Sequence, residues 1–305
     1  MTQKPVASTP GELLGTAVRI AREAAATARR MRAEAITDVR TKSTDTDVVT
    51  AADRAVERQV VDGLRRDRPG DSVLGEEYGD SAAPAGNTAA QRPGFSVPSV
   101  GPGAGSDTVP SVGPGAGSST VRWILDPIDG TVNYLYDLPQ WAVSLAAEVD
   151  GEVVAGVVHN GVTGAEWTAT RGGGAWQGER RLTGSRRTTL DQSLVATGFG
   201  YAAARRAHQG RVLAGLITQV RDIRRFGAAS LDLCLAAEGG VDAYFEKGLN
   251  LWDHAAGGLI CREAGLVVSG IDGAPADHTM LIAAPPAIFP ALHDALAKLD
   301  AAGGP

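Results

Sequence analysis

A mixed α/β fold is what this sequence predicts, on three observations. Two stretches near the N-terminus carry apolar side chains at helical spacing. The middle of the chain alternates short apolar runs with tight-turn residues, as antiparallel strands do. From Leu190 onward strand-like and helical segments alternate, so an α/β half follows a mixed α+β half. The length of 305 residues suits either two units of about 150 or one large domain in two halves.

In residues 12–35, Leu13, Ala17, Ile20, Ala24, Ala28 and Met31 recur every three or four positions, which predicts an amphipathic helix. A second helix starts near Thr50 and Asp53, both good capping types, carries Val56, Val60, Val61 and Leu64 on one face, and stops at Pro69 and Gly70. The polar residues 41–49 between them read as a loop. Ser72, Val73 and Leu74 leave room only for a strand end, which runs into Gly75, Glu76 and Glu77.

Residues 80–120 break this pattern. Large apolar side chains almost vanish, and the twelve-residue repeat 97–108 recurs at 109–120 with only Asp107 exchanged for Ser119. Such a Gly, Pro and Ser mixture buries too little surface to offset its ordering entropy, so a disordered insertion is expected. A solenoid needs at least about three repeats.

Beyond it, 122–125 reads as a buried strand, and 142–149 with 152–158 as a hairpin turning at Asp150 and Gly151. Residues 166–170 add a strand. The Gly172, Gly173, Gly174 run lacks the strand, spacing and helix of a dinucleotide fingerprint and reads as a turn; no GxxxxGK[ST] occurs. Then come a strand at 195–197, helices at 211–219 and 229–238, a strand at 243–246, and a helix at 253–264 closed by Gly265.

Composition narrows the function. No run of about 18 apolar residues is present, and residues 1–10 lack the basic start and apolar core of a leader, so a cytoplasmic protein without a membrane partner is expected. The 29 Lys and Arg against 35 Asp and Glu give a net charge of -6, which offers no field for direct nucleic-acid binding. Cys234 and Cys261 form no CxxC pair and read as buried thiols.

The strongest local signal is Trp123-Ile-Leu-Asp126-Pro-Ile128-Asp129-Gly130-Thr131, a buried strand expected to stop at a turn that holds two carboxylates. Two Asp around a Pro-fixed turn can converge on a hard divalent cation, and the Ile128 carbonyl adds a neutral oxygen. The backbone N–H groups of Gly130 and Thr131 can hold a phosphate. An Asp-Pro turn with a capping Asp is the plain alternative. Glu76 and Glu77 after a strand, and Asp253 opening a helix, add carboxyl groups at element ends.

Together these blocks, Asp47-Val-Val-Thr50-Ala-Ala-Asp53, Gly75-Glu76-Glu77, the Trp123 to Tyr134 string, and Trp252-Asp253-His-Ala-Ala with Glu263-Ala-Gly265, resemble the inositol monophosphatase family over almost the whole chain. The resemblance implies a layered αβαβα sandwich, one catalytic domain over 11–299 with halves at about 11–185 and 190–299, and a homodimer. It implies two or three Mg²⁺ ions held by Glu76, Asp126, the Ile128 carbonyl, Asp129 and Asp253. Asp47, Glu76 and Thr131 would orient the attacking water, in a lithium-sensitive reaction on inositol 1-phosphate or a similar polyol monophosphate. Asp129, Gly130, Thr131, Gly227, Ala229, Glu246 and Asp253 would contact that small-molecule phosphomonoester, and 197–201 would line the same mouth.

Histidinol phosphate, fructose 1,6-bisphosphate and 3′-phosphoadenosine nucleotides remain alternative substrates. A regulatory partner of the transcription machinery remains an alternative of another class. His254 reads mainly as a packing or capping residue with a general-acid role the alternative, and Arg221, Arg224 and Arg225 as a solvated or subunit-facing basic patch with the holding of a phosphate from a second substrate site the alternative.

Overall fold

The computed structural model describes residues 8–34, 39–41, 48–81 and 120–305, with backbone pairing alone at 39–41 and 48–50. Asp47 and nearly all of the 80–120 insertion lie outside the described residues.

Helix α1 (Pro10–Ala33) begins with a reciprocal cap. Thr9 Oγ1 accepts from Glu12 N–H at 3.3 Å, and Glu12 Oε2 accepts from Thr9 N–H at 2.8 Å. Strands β1 (Val39–Thr41) and β2 (Val48–Thr50) pair antiparallel, so the stretch expected to be loop throughout is bracketed by a small ladder. Helix α2 (Ala51–Asp67) follows.

The large sheet then forms from β3 (Ser72–Gly75), β4 (Gly79–Ser81), β5 (Val121–Asp129), β6 (Ala142–Val149), β7 (Glu152–Asn160), β8 (Glu166–Thr170), β9 (Gly174–Gln177) and β10 (Arg180–Arg181). A five-residue helix α3 (Thr131–Leu135) interrupts it after β5. The order is β10-β9-β8-β7-β6-β5-β3-β4, antiparallel except where β3 runs parallel to β5. The β6–β7 hairpin turns at Asp150 (φ 52°) and Gly151 (φ 84°), the left-handed pair expected of a two-residue connection.

The second sheet takes β11 (Leu194–Thr197), β12 (Asp222–Arg224), β13 (Ala243–Glu246), β14 (Val267–Ser269) and β15 (Leu281–Ala284) in the order β12-β11-β13-β15-β14. Strand β11 is parallel to both of its neighbours. Helices α4 (Ala203–Leu216), α5 (Ala229–Glu238), α6 (Leu251–Glu263) and α7 (Phe289–Lys298) complete the chain. Helix α4 starts well before the expected residue 211, because Ala203-Ala-Arg-Arg-Ala already propagates a helix and Gly210 does not break it.

Successive residues of β5 enter opposite cores. Trp123 and Leu125 pack with Leu13, Ile20, Val56 and Leu64 of α1 and α2, whereas Ile124 packs with Leu233 and Ile260 of α5 and α6. The far side of that helical pair meets Tyr244 and Leu281 of the second sheet. Val195, Phe245 and Ile282 on the other face of that sheet cover Leu216 of α4 and Leu292 and Leu296 of α7. The result is five layers, α1/α2, large sheet, α5/α6, small sheet, α4/α7, as the resemblance implied. No helix among the described residues is long and apolar enough to cross a membrane.

Candidate active site

Parallel pairing brings the acidic blocks together. Gly75 is in register with Leu125, so Glu76 leaves β3 beside Asp126 of β5. Strand β5 does not stop at Asp126 as expected. Its pairing to β6 resumes from Asp126↔Ser144 at Asp129↔Ala142, one extra residue on the β5 side. That bulge holds Pro127 and Ile128 and re-aims both carboxylates. Asp126 Oδ1 accepts from Ile128 N–H at 3.1 Å, and Thr131 donates its hydroxyl to the Ile128 carbonyl at 3.2 Å.

Asp129 reaches the start of α5, accepting from the N–H groups of Ala229 (3.2 Å) and Ser230 (2.7 Å) and from the Ser230 hydroxyl (2.5 Å). Gly130 follows at φ 89°, and a Cβ there would stand 2.7 Å from the Gln140 carbonyl oxygen, so only glycine fits. Asn133 donates to the Gln140 and Phe226 carbonyls at 2.7 and 2.8 Å, tying this turn to the entry of α5. Asp253 lies in the first turn of α6 and accepts from Asn250 N–H at 2.6 Å.

A cavity of about 550 Å³ opens at the carboxyl ends of these parallel strands, where ligands of open α/β sheets bind. Glu76, Asp126, Asp129 and Asp253 form its acidic wall, with Ile128, Gly130 and Thr131 between them. Gly227, Ala229 and Glu246 line the same cavity, as do residues 198–201. Every candidate metal-ligating, water-orienting and substrate-contacting residue that the structure describes therefore lines one cavity, whereas Thr197 of the expected 197–201 stretch does not.

Burial pushes Asp126 and Asp253 well above the usual carboxylate range and Asp129 to about 6. Repulsion from Glu76, and in Asp253 first from Asp129, is a further cause of these rises, while the hydrogen bonds from Ser230 and Ala229 hold Asp129 down to that value. Among the described residues no Lys or Arg is ion-paired with Asp126, Asp129 or Asp253, and no three side chains converge into a ready-made metal cage. A wall of hard carboxylate and carbonyl oxygens is a donor set suited to Mg²⁺-type cations.

Glu246, at the end of β13, is backed by the Tyr244 hydroxyl at 2.5 Å and is raised to about 7 by burial. A Cβ at Gly198 would fall 1.9 Å from its carboxylate, so the glycine gives it room. His254 does not line the cavity; burial, then Arg262, lowers its imidazole to about 4, so it is neutral at pH 7. The expected basic patch divides, for Arg224 pairs with Asp222 at 2.6 Å while Arg225 lines the cavity.

Sequence reasoning missed Glu57. This buried α2 residue accepts from Glu77 N–H at 2.8 Å and Tyr78 N–H at 3.1 Å, holding the turn that carries Glu76. A Cβ at Gly75 would lie 1.9 Å from its carboxylate. An acid next to Val56 and four residues after Asp53, on the face that packs inward, was the available signal. Also missed were Asp232, fully buried in α5 and pushed well up by burial and by Glu246, and the cavity-lining cations Arg205 and Lys247. The Gly172 to Gly174 turn holds a carboxylate of the chain itself: Gly172 and Gly174 N–H donate to Glu263 at 2.8 and 2.9 Å.

Two sheets interleaved with three helical layers, opening on an acid-lined pocket, place the chain in the class of layered α/β phosphatases. It belongs to the inositol monophosphatase family, whose sequence model matches residues 10–300. It is 42% identical to the inositol-1-monophosphatase of Mycobacterium leprae over 95% of each chain. It is 36% identical to the Nus factor SuhB of Escherichia coli over 74% of this chain and 73% of that one. Among solved structures, Mycobacterium tuberculosis SuhB superposes with a TM-score of 0.74 at 34% identity, covering 97% of this chain and 100% of the other.

Proposed function

We propose that the protein is a Mg²⁺-dependent phosphomonoesterase that releases phosphate from inositol 1-phosphate or a similar polyol monophosphate. The observation that carries this reading is the convergence of four carboxylates on one cavity that Glu246 also lines. Glu76, Asp126, the Ile128 carbonyl, Asp129 and Asp253 would hold two or three Mg²⁺ ions. When bound, they supply Lewis acidity to the phosphoryl group and to the attacking water.

The chain's own residues do the rest. Glu76 and Thr131, with Asp47, orient the water in line with the ester, and the Thr131 hydroxyl is fixed in place by the Ile128 carbonyl. Gly130 lets the backbone approach the phosphate. Glu246 accepts hydroxyl donors of the polyol, and the small side chains at Gly227 and Ala229 leave space for its ring. On this reading the chain acts as one catalytic domain over 11–299, in the cytoplasm, as a homodimer.

The relative named Nus factor SuhB supports a second reading, a regulatory partner of the transcription machinery. The acid-lined cavity favours the enzyme, since a surface used only for docking has no need of a cluster of raised carboxylates. Phosphate release from inositol 1-phosphate, with and without Mg²⁺ and with lithium added, tests this. Activity should require Mg²⁺, fall with lithium, and drop roughly a hundredfold or more in Asp126→Asn, beyond the 10–100-fold typical of an outer-shell partner. A folded wild type that releases no phosphate from inositol 1-phosphate overturns the inositol-phosphate assignment.

A further inference from the structure

The cavity is lined by cations as well as by carboxylates. Arg205 of α4, Arg225 just before α5 and Lys247 just after β13 face it together with Glu246. In a chain with net charge -6, arginines elsewhere commonly sit on carboxylates, as Arg22 does on Glu166, Arg68 on Asp71 and Arg122 on Glu148. Among the described residues none of the three cavity cations makes an ion pair; the described ion pairs involve other side chains.

Main-chain oxygens and an aromatic ring hold their heads. The Arg205 side chain passes between Gly200 and Gly248, where a Cβ would fall 2.4 Å from its Cδ and 2.4 Å from its Nη1 respectively, and its Nε donates to the Pro305 main-chain oxygen at 3.3 Å. Lys247 Nζ donates to the Gly303 and Gly304 carbonyls at 2.6 and 2.9 Å. The Arg225 guanidinium lies over the Phe199 ring at 5.9 Å. Main-chain oxygens and an aromatic face fix these heads in place, as a preorganised anion site requires, with Glu246 and Asp232 the acids that Arg225 acts on. At about 550 Å³ the cavity falls within the roughly 300–1,000 Å³ of small-molecule sites and has room beyond the scissile phosphate.

We propose that Arg205, Arg225 and Lys247 form a second anion subsite, so that the preferred substrate is a phosphorylated polyol with a further anionic group, phosphate or carboxylate, distal to the scissile ester. The inference rests on the phosphomonoesterase reading and deepens it. At the acidic wall water forms the new P–O bond, the ester P–O bond breaks and the leaving alkoxide takes a proton; the distal group is bound and unchanged.

Two substrate pairs test this in the presence of Mg²⁺. Fructose 1,6-bisphosphate against fructose 1-phosphate differs by a distal phosphate, and 6-phosphogluconate against glucitol 6-phosphate by a distal carboxylate. Wild type should favour the doubly anionic member of at least one pair by about tenfold or more in kcat/KM, the size of one charged hydrogen bond. The responding pair identifies the anion. Arg225→Gln and Lys247→Met should each lower that ratio at least about threefold, a part of the same contact energy. A ratio within one enzyme sample is independent of the fraction folded. Ratios near one for both pairs, or a preference that neither variant lowers, overturn the subsite. If inositol 1-phosphate is hydrolysed while both pairs are flat, the subsite alone fails. If no substrate is hydrolysed, the phosphatase reading fails and the subsite with it.

Discussion

Glu246 is a carboxylate that the fold keeps away from water. Burial raises it to about 7 and Asp129 adds repulsion, while the Tyr244 hydroxyl and Arg225 pull the other way. Asp232 is a further buried acid that interacts with it. Its pKa in the unfolded chain is near 4.5, so between there and about 7 the folded state holds more of its proton than the unfolded state does. Its contribution to stability is therefore complete below the unfolded value and is lost as pH rises through the folded one. In chelator, wild type should lose melting temperature from pH 5 to 7.5, and Glu246→Gln, which does not titrate, should lose less and be the more stable protein at pH 8. Parallel melting curves for the two proteins would refute the assignment. Legibility differed sharply between such residues. Asp126, Asp129, Gly130 and Thr131 were readable because they are consecutive on one bulged turn. Glu57, Arg205 and Lys247 were not, because what they touch (the 77–78 backbone, Gly200 and Gly248, and the main-chain oxygens at 303–305) is brought near by tertiary packing.

At the scale of elements, α6 shows how tightly the central helical layer is packed. Gly257 and Gly258 are adjacent in its interior, so alanine at either brings a similar helix-propensity gain of up to about 1 kcal/mol. Their surroundings differ. A Cβ at Gly257 would stand 2.8 Å from Leu233 Cβ of α5, whereas at Gly258 it would meet only Arg262 at 3.5 Å, ordinary contact. Denaturant unfolding should therefore show Gly258→Ala more stable by about 0.5–1 kcal/mol. Gly257→Ala should be less stable by about 1–2 kcal/mol, because overpacking outweighs propensity. Equal shifts in the two would contradict the close α5–α6 approach. Helices α1, α2, α5 and α6 and the β6–β7 hairpin were legible because each writes its own period or turn locally. The extension of β5 past Pro127 was not, because its pairing with β6 overrides the local turn signal. Nor was the order of the second sheet, where β11 takes neighbours from both sides by crossovers that leave no local mark.

For the molecule as a whole, the insertion is bounded by geometry on both sides. Ser81 of β4 and Trp123 of β5 both pair with Val73 of β3, so the chain leaves and re-enters the large sheet at the same end, on either flank of one strand. Two strand spacings are roughly 10 Å, a gap that about three extended residues span. The connection is thus far longer than the fold needs. Excising 98–118 leaves 82–97 and 119–120 to bridge the gap, and roughly halving such a connection lowers its closure cost by about 0.6 kcal/mol. Every cavity-lining residue named above lies outside 82–119. The deletion variant should keep kcat/KM within about twofold and a melting temperature unchanged or raised by about 1–2 °C, as a gain of that size implies. A folded deletion variant with more than a tenfold loss of turnover would show that the repeats take part in the site, whose lining would then extend beyond the residues named above.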